Sequence, residues 1–374
     1  VLVLGVDVRY FGFLLLLAVF VVRGQAENDR PVYEWDLSLF HGTIARHNPD
    51  ITHLIREHPG GVILGWNRKR YGEQEWEAWY GYPDTGFTFV YQDMVNPVLG
   101  DNFSLYAHYN FYFFKRRFQL RIGQGLAYNT NPYDKVSNFR NNAYGSHILS
   151  STLVMANYRV ENLWKGLGLQ AGLSLIHYSN ANVRAPNAST NSIVWNLGAV
   201  YRLDAPYPKS YIKPSEPLRE EDWGDLHWNV VLRAGLNEGD VLGSGRFGFL
   251  VPSVFVDRRI SKLSTLQAGA DLFLTPFLKE YIRFQAASFP ERGIEEGTDW
   301  RRGGIFLGHE LHVNRLSLIT QLGFYVYYPF PFETRFYNRT GLRYYIDDHW
   351  YGAVTLKSHA AAAEAVEWGI GFRW

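Results

Sequence analysis

The segment Ala365 to Trp374, AVEWGIGFRW, sets Val366, Trp368, Ile370, Phe372 and Trp374 on one parity and Glu367, Gly369, Gly371 and Arg373 on the other. A period of two is the repeat of an extended strand, so one face is greasy and the other small or polar. The same division separates Phe118, Leu120 and Ile122 from Gln119, Arg121 and Gly123, and Leu318, Leu322, Phe324 and Val326 from Ser317, Gln321 and Gly323. A soluble sandwich would hide such apolar faces in a shared core. Small and polar residues on the second face instead suit the inside of a closed barrel whose apolar face meets lipid.

Comparable segments recur at 35–45, 61–70, 85–94, 103–114, 117–128, 147–160, 166–179, 191–203, 227–237, 246–258, 264–275, 304–314, 317–328, 335–346, 350–358 and 364–374, with little helical periodicity between them. Discounting one or two of the early segments leaves an all-β, transmembrane antiparallel barrel of about 14 strands, with 12 and 16 as neighbours because single-chain bacterial barrels are even-numbered. Composition agrees: aromatics make up 17% of the chain, with 35 glycines and no cysteine. The lack of cysteine excludes disulfide scaffolds, thiolate metal sites and thiol nucleophiles. A formal charge of +1 with no long basic run gives no electrostatic footprint for nucleic acid.

Residues 1–26 are read as a signal peptide. The apolar run FGFLLLLAVFVV, Phe11 to Val22, is shorter than the roughly 20 residues a membrane-spanning helix needs and is followed by Ala26 near a candidate cleavage point. Residues 27–374 are then one outer-membrane barrel. With the mature N-terminus in the periplasm, the turns near Arg116, Glu161, Ile260, Asn314 and Asp347 all fall on the periplasmic side, where turns are short. The Pro- and charge-rich stretch from Asp204, DAPYPKSYIKPSEPLREEDWGDL, is the exception: it is either a long periplasmic connection or the sign of a miscounted strand. A chain ending on an aromatic residue of such a strand also resembles the C-terminal signature of bacterial outer-membrane barrels.

The chemistry centres on IHYSNANVRAPNASTN, Ile176 to Asn191. The alternation that puts Leu167, Leu169, Leu173 and Leu175 on the lipid side carries His177 and Ser179 to the same side. The next segment sorts Ile193, Trp195, Leu197 and Tyr201 outward together with Asn191, and a hairpin returns Asn191 beside His177 and Ser179. A lone polar group near a membrane rim is ordinarily headgroup-facing, but three converging ones are a candidate site. Serine needs a base to act as a nucleophile, and histidine needs a third group to hold its tautomer. Residues i and i+2 on a strand lie about 6.6 Å apart at Cα, within reach if their side chains lean together.

HYSNA (His177 to Ala181) followed by Pro186 and Asn187 resembles the active-site signature of the PagL-type lipid A 3-O-deacylases. The resemblance implies an outer-membrane hydrolase that cleaves the ester-linked acyl chain at the 3-position of lipid A, with lipopolysaccharide as substrate and no cofactor or metal. It maps the family's histidine and serine onto His177 and Ser179, the following asparagine onto Asn180 and the turn asparagine onto Asn187. Family members are typically shorter, eight-stranded barrels, so this chain would be an enlarged relative. Where the family has a triad glutamate this chain has Asn191, and no Asp or Glu occurs between Glu161 and Asp204. An asparagine orients an imidazole without stabilising its cation. In the expected mechanism His177 takes the Ser179 proton, an acyl-enzyme forms and water resolves it. The oxyanion sits against the backbone N–H groups near Asn180 and Ala181, with the Asn180 amide as a further donor, while Asn187 holds the loop.

Other histidines and turns carry weaker signals. His147 opens a strand and is either a site-lining or a rim residue. His309 and His312 in GHELH lie three apart, hence on opposite strand faces, which disfavours a shared zinc. Gly243 to Gly248, GSGRFG, lacks the spacing of a nucleophile elbow, and Asp347, Asp348 and His349 are read as a solvated turn. Two other readings of the whole chain remain at this level: a porin or transporter, favoured by an open lumen, and a catalytically silent barrel, favoured by Asn191.

Overall fold

The computed structural model describes residues 31–203, 210–213, 224–239, 243–360 and 362–374. The signal-peptide reading at 1–26 lies outside the described residues. All sixteen alternating segments are strands, each antiparallel to its neighbours, and they close into two barrels of eight. The first runs β1 (Tyr33–Ala45), β2 (Gly60–Arg68), β3 (Asp84–Asp93), β4 (Asp101–Phe113), β5 (Phe118–Asn129), β6 (Ile148–Trp164), β7 (Leu167–Ser179) and β8 (Thr190–Arg202). It closes where β1 pairs with β8, from Glu34 opposite Arg202 to Ala45 opposite Asn191.

The second runs β9 (Leu226–Glu238), β10 (Arg246–Arg259), β11 (Ser264–Phe273), β12 (Arg302–Val313), β13 (Leu316–Tyr327), β14 (Phe336–Tyr345), β15 (Trp350–His359) and β16 (Ala362–Arg373). Its seam pairs β16 with β9, from Trp368 opposite Ala234 to Arg373 opposite Asn229. The expected all-β antiparallel barrel architecture is found, and sixteen strands lie close to the expected count of about 14 and within its range of 12 to 16; they close as two complete eights rather than one cylinder, with the discounted early segments as full members of the first. The physical reason is that alternation fixes where strands are but not which pair closes the sheet. In chain order the stretch from Asp204 connects β8 to β9, and most of it lies outside the described residues.

Alternation sorts each wall as the sequence implies. On β7, Leu169, Leu173 and Leu175 are exposed while Gln170, Ser174 and Ile176 are buried. An eight-stranded interior is just wide enough for side chains to fill. Here ion pairs fill much of it. In the first barrel Arg121 forks onto Asp36 at 2.5 and 3.1 Å, Arg159 bonds Glu34, and Lys69 lies 3.1 Å from Glu34 and 3.2 Å from Asp84. Burial disfavours the Lys69 ammonium, but Asp84 and Glu34 outweigh it and hold its pKa above the usual lysine range. In the second, Arg339 bridges Asp271 and Glu367, Arg343 meets Glu310 at 2.7 Å, and Arg302 meets Glu364 at 2.6 Å. Charges taken this far from water persist only when paired, because an unpaired one costs several kcal/mol, of order 3–5.

The end of the first barrel that carries the candidate site is closed differently. Ile63, Val90, Leu149, Leu153, Ile176 and Val194 form an apolar layer with Tyr106 and Tyr178. Tyr144, from the connection between β5 and β6, joins that layer and its hydroxyl meets Thr190 Oγ1 at 2.5 Å.

Connections at the opposite end include the short turns 114–117 and 165–166 and the longer 69–83, which holds helix α1 (Glu75–Trp79). In the second barrel the turns 260–263, 314–315 and 346–349 also lie at the end shared with the first strand's start, and α2 (Phe277–Ser288) lies in the connection between β11 and β12 at the other end. The five turns picked out by sequence parity therefore do share one end. The barrels stand side by side in the same direction. At the short-turn end Tyr80 donates to the His312 carbonyl at 2.6 Å and Asn314 to Gln74 at 3.2 Å.

Candidate active site

β7 and β8 hold the site through their register, which sets His177 directly opposite Asn191. Both follow the outward parity shared with exposed Leu175 and Ile193. His177 Nδ1 and Asn191 Oδ1 are 2.7 Å apart. Since an amide oxygen only accepts, Nδ1 carries the proton and Nε2 is left as the basic nitrogen. That is the tautomer a serine-activating histidine requires.

Ser179 is the last residue of β7 and is 7% exposed, screened by the loop that follows. Its hydroxyl donates to Asn187 Oδ1 at 3.0 Å, and the same oxygen accepts the Asn180 N–H at 2.8 Å. The Ala181 N–H points back at Ser179 Oγ from 2.9 Å. Ala181 and Asn182 both adopt left-handed backbone, with φ of 53° and 60°, and it is this reversal that turns the Ala181 amide onto the serine. Such conformations cost a non-glycine residue about 1–3 kcal/mol and persist where surrounding bonds over-determine them. Here Asn180 supplies those bonds, donating to the Arg184 carbonyl at 2.5 Å and accepting the Asn182 N–H at 3.1 Å.

The six residues singled out from sequence fall into two hydrogen-bonded groups at the same end of β7 and β8, His177 with Asn191 and Ser179 with Asn180, Ala181 and Asn187, with two differences from the expected detail. Asn187 touches the candidate nucleophile itself as well as holding the loop. The Asn180 side chain and N–H are both engaged within the loop, which leaves the Ala181 N–H as the amide beside the serine oxygen. The Ser179 hydroxyl gives its proton to Asn187, and among the described residues no hydrogen bond joins it to His177.

His47, from the connection after β1, was not singled out in the sequence. Its Nε2 lies 3.1 Å from Ser189 Oγ and 3.2 Å from the Ala188 carbonyl, against the loop's far end. Only the seam between β1 and β8 brings it there. Also unanticipated is a grip from the second barrel: Glu238 Oε2 accepts the Ala185 N–H at 3.1 Å, the Glu238 N–H donates to the Asn182 carbonyl at 3.0 Å, and Asn182 Nδ2 donates to the Ala363 carbonyl.

The remaining candidates are structural. His147 bonds the Asn129 carbonyl at 2.8 Å and stacks on Tyr128. His312 bonds Thr265 and Ser317, while His309 lies on the opposite face of β12. Asp347 caps its own turn by accepting from the His349 and Trp350 N–H groups. Gly243 sits in a turn at φ 80°.

Two family models match the chain, one per barrel. Residues 60–199 match lipid A 3-O-deacylase (PagL), and residues 226–374 match the acyloxyacyl hydrolase C-terminal domain. No curated protein matches. Among solved structures, two engineered variants of the Rhodopseudomonas blastica porin align over 92% of this chain and 99% of theirs, at 8% identity and TM-scores of 0.17 and 0.18. A likeness that weak carries no argument.

Proposed function

Since the chain belongs to the PagL family of lipid A 3-O-deacylases, we propose that it is a serine esterase of the bacterial outer membrane that removes the 3-linked acyl chain of lipid A through Ser179 and His177. The observation that carries this reading is the Nδ1 bond from His177 to Asn191, which leaves Nε2 basic on the same wall as Ser179. Ser179 rotates from Asn187 to His177, loses its proton to Nε2 and attacks the ester carbonyl. The oxyanion develops beside the Ala181 amide, and a preorganised donor of that kind is worth about 3 kcal/mol. His177 returns the proton to the departing sugar hydroxyl, and the acyl-enzyme is then opened by water with His177 again as base. Because the site lies on the outer wall, the acyl chain reaches it without leaving hydrocarbon.

A porin requires an open lumen. Arg121, Arg159, Arg302 and Arg339 are all buried inside the two barrels in ion pairs, so the interiors favour the esterase over passage. The test is mass spectrometry of lipid A from cells producing the wild type or Ser179→Ala. The wild type should release one 3-linked hydroxyacyl chain and the variant none. Unchanged lipid A in both, or solute flux through the reconstituted protein, would sink the assignment.

A further inference from the structure

The lipid-facing wall beside the site contains an island of polar side chains that the proposed reaction does not use. Gln124 on β5 sits opposite Thr152 on β6, Thr152 opposite His177 on β7, and His177 opposite Asn191, so one row of paired positions runs from Gln124 to the reactive histidine. Ser150, two residues from Thr152, is opposite Ser179. Gln124 Nε2 donates to Ser150 Oγ at 3.0 Å, and its Oε1 accepts from Thr152 Oγ1 at 2.7 Å.

The island is flanked along its strands by apolar side chains. Leu126 is 64% exposed above Gln124, Ile122 is 45% exposed below it, and Ile148 is 57% exposed above Ser150. Polar groups on such a wall gain nothing from lipid tails, and each one lacking a partner there costs free energy. Among the described residues the second N–H of Gln124 and the hydroxyl hydrogen of Ser150 have no acceptor. Both remain available to donate, and a donor pair calls for a carbonyl.

We propose that Gln124, Ser150 and Thr152 form a subsite that hydrogen-bonds the carbonyl of a second acyl linkage on the same glycolipid, beside the ester that Ser179 attacks; this rests on the esterase reading above. A lipid with several acyl chains on one sugar presents a second carbonyl a few ångströms from the scissile ester. One strand spacing, about 4.8 Å, separates Ser150 from Ser179 and Thr152 from His177. The subsite selects a multiply acylated substrate over a single-chain ester and orients it along the wall.

The test compares wild type with Gln124→Leu/Ser150→Ala/Thr152→Val, whose apolar replacements suit a lipid-facing wall, on purified lipid A and on a single-chain ester of equal acyl length in the same micelles. The expected result is a fall of about tenfold or more in kcat/KM on lipid A, mainly through KM, with the single-chain ester changed by less than about twofold. Equal rates on both substrates would reduce the island to surface decoration, and equal losses on both would make it a support for the catalytic pair; either overturns the subsite. Lipid A binding is measured in parallel in the inactive Ser179→Ala background, with and without the triple change. Weaker binding with the triple change upholds the subsite even if the wild type proves to hydrolyse nothing, and unchanged binding overturns it independently of activity.

Discussion

An asparagine at position 191 orients the His177 imidazole as well as a carboxylate would, but a neutral amide supplies no counter-charge when the ring takes up a proton. In a serine triad, exchanging the carboxylate for its amide costs as much as about 10⁴ in rate, part of it through the wrong tautomer. Here Asn191 Oδ1 accepts from His177 Nδ1, so under the esterase proposal the charge contribution is what is missing. Asn191→Glu is therefore expected to raise kcat by at least about tenfold, measured as acyl release from lipid A, whereas Asn191→Leu should lower it by about 10²-fold. A glutamate variant no faster than the parent would show that counter-charge does not limit this site. Local alternation was enough to set His177, Ser179 and Asn191 on one face and His177 beside Asn191. The contact of Asn187 with Ser179 was hidden, because it depends on how ten loop residues fold back on themselves rather than on any spacing.

Strands tolerate little change where backbone and ring meet. Gly323 on β13 lies against the Tyr337 ring of β14, and a Cβ built there would stand 2.0 Å from the ring's Cζ. Tyr337 is itself fully buried and donates to Asp271 at 2.7 Å, so it has no free space to withdraw into. Gly323→Ala should destabilise the second barrel by about 1–3 kcal/mol, as overpacking does, read as a lower urea midpoint for loss of the folded band in cold gel electrophoresis. A change on the outer wall, the face that meets lipid under the outer-membrane proposal, behaves differently. Leu173→Arg places a charge on an outer wall and should cost up to about 2–4 kcal/mol, depending on its depth, in the same unfolding measurement made in bilayers. Both elements were legible as strands from period two alone. That a particular glycine accommodates a neighbour's ring was not, since it depends on register between strands.

At the scale of the whole molecule, the second barrel reaches the loop between β7 and β8 of the first through Glu238 and the Ala363 carbonyl. Glu238 ends β9 and satisfies the Ala185 N–H, so the two barrels share the loop that holds Ser179. Glu238→Ala removes that acceptor without touching His177, Ser179 or Asn191. It should cut kcat several-fold, about 3- to 10-fold for one lost bond to a charged group, while Glu238→Gln retains most of it. Equal activity in all three proteins would mean that the loop holds its shape unaided. The sequence by itself marked sixteen alternating segments, though one or two early ones were discounted, together with the face each presents and the shared face of His177, Ser179 and Asn191, because these follow from a repeat of two along a single chain. Only the tertiary structure decided that β8 returns to β1 and β16 to β9, dividing the strands into two filled barrels and setting Glu238 against the loop. Closure is a pairing between residues far apart in the chain, and no local pattern encodes which distant edge a strand will meet.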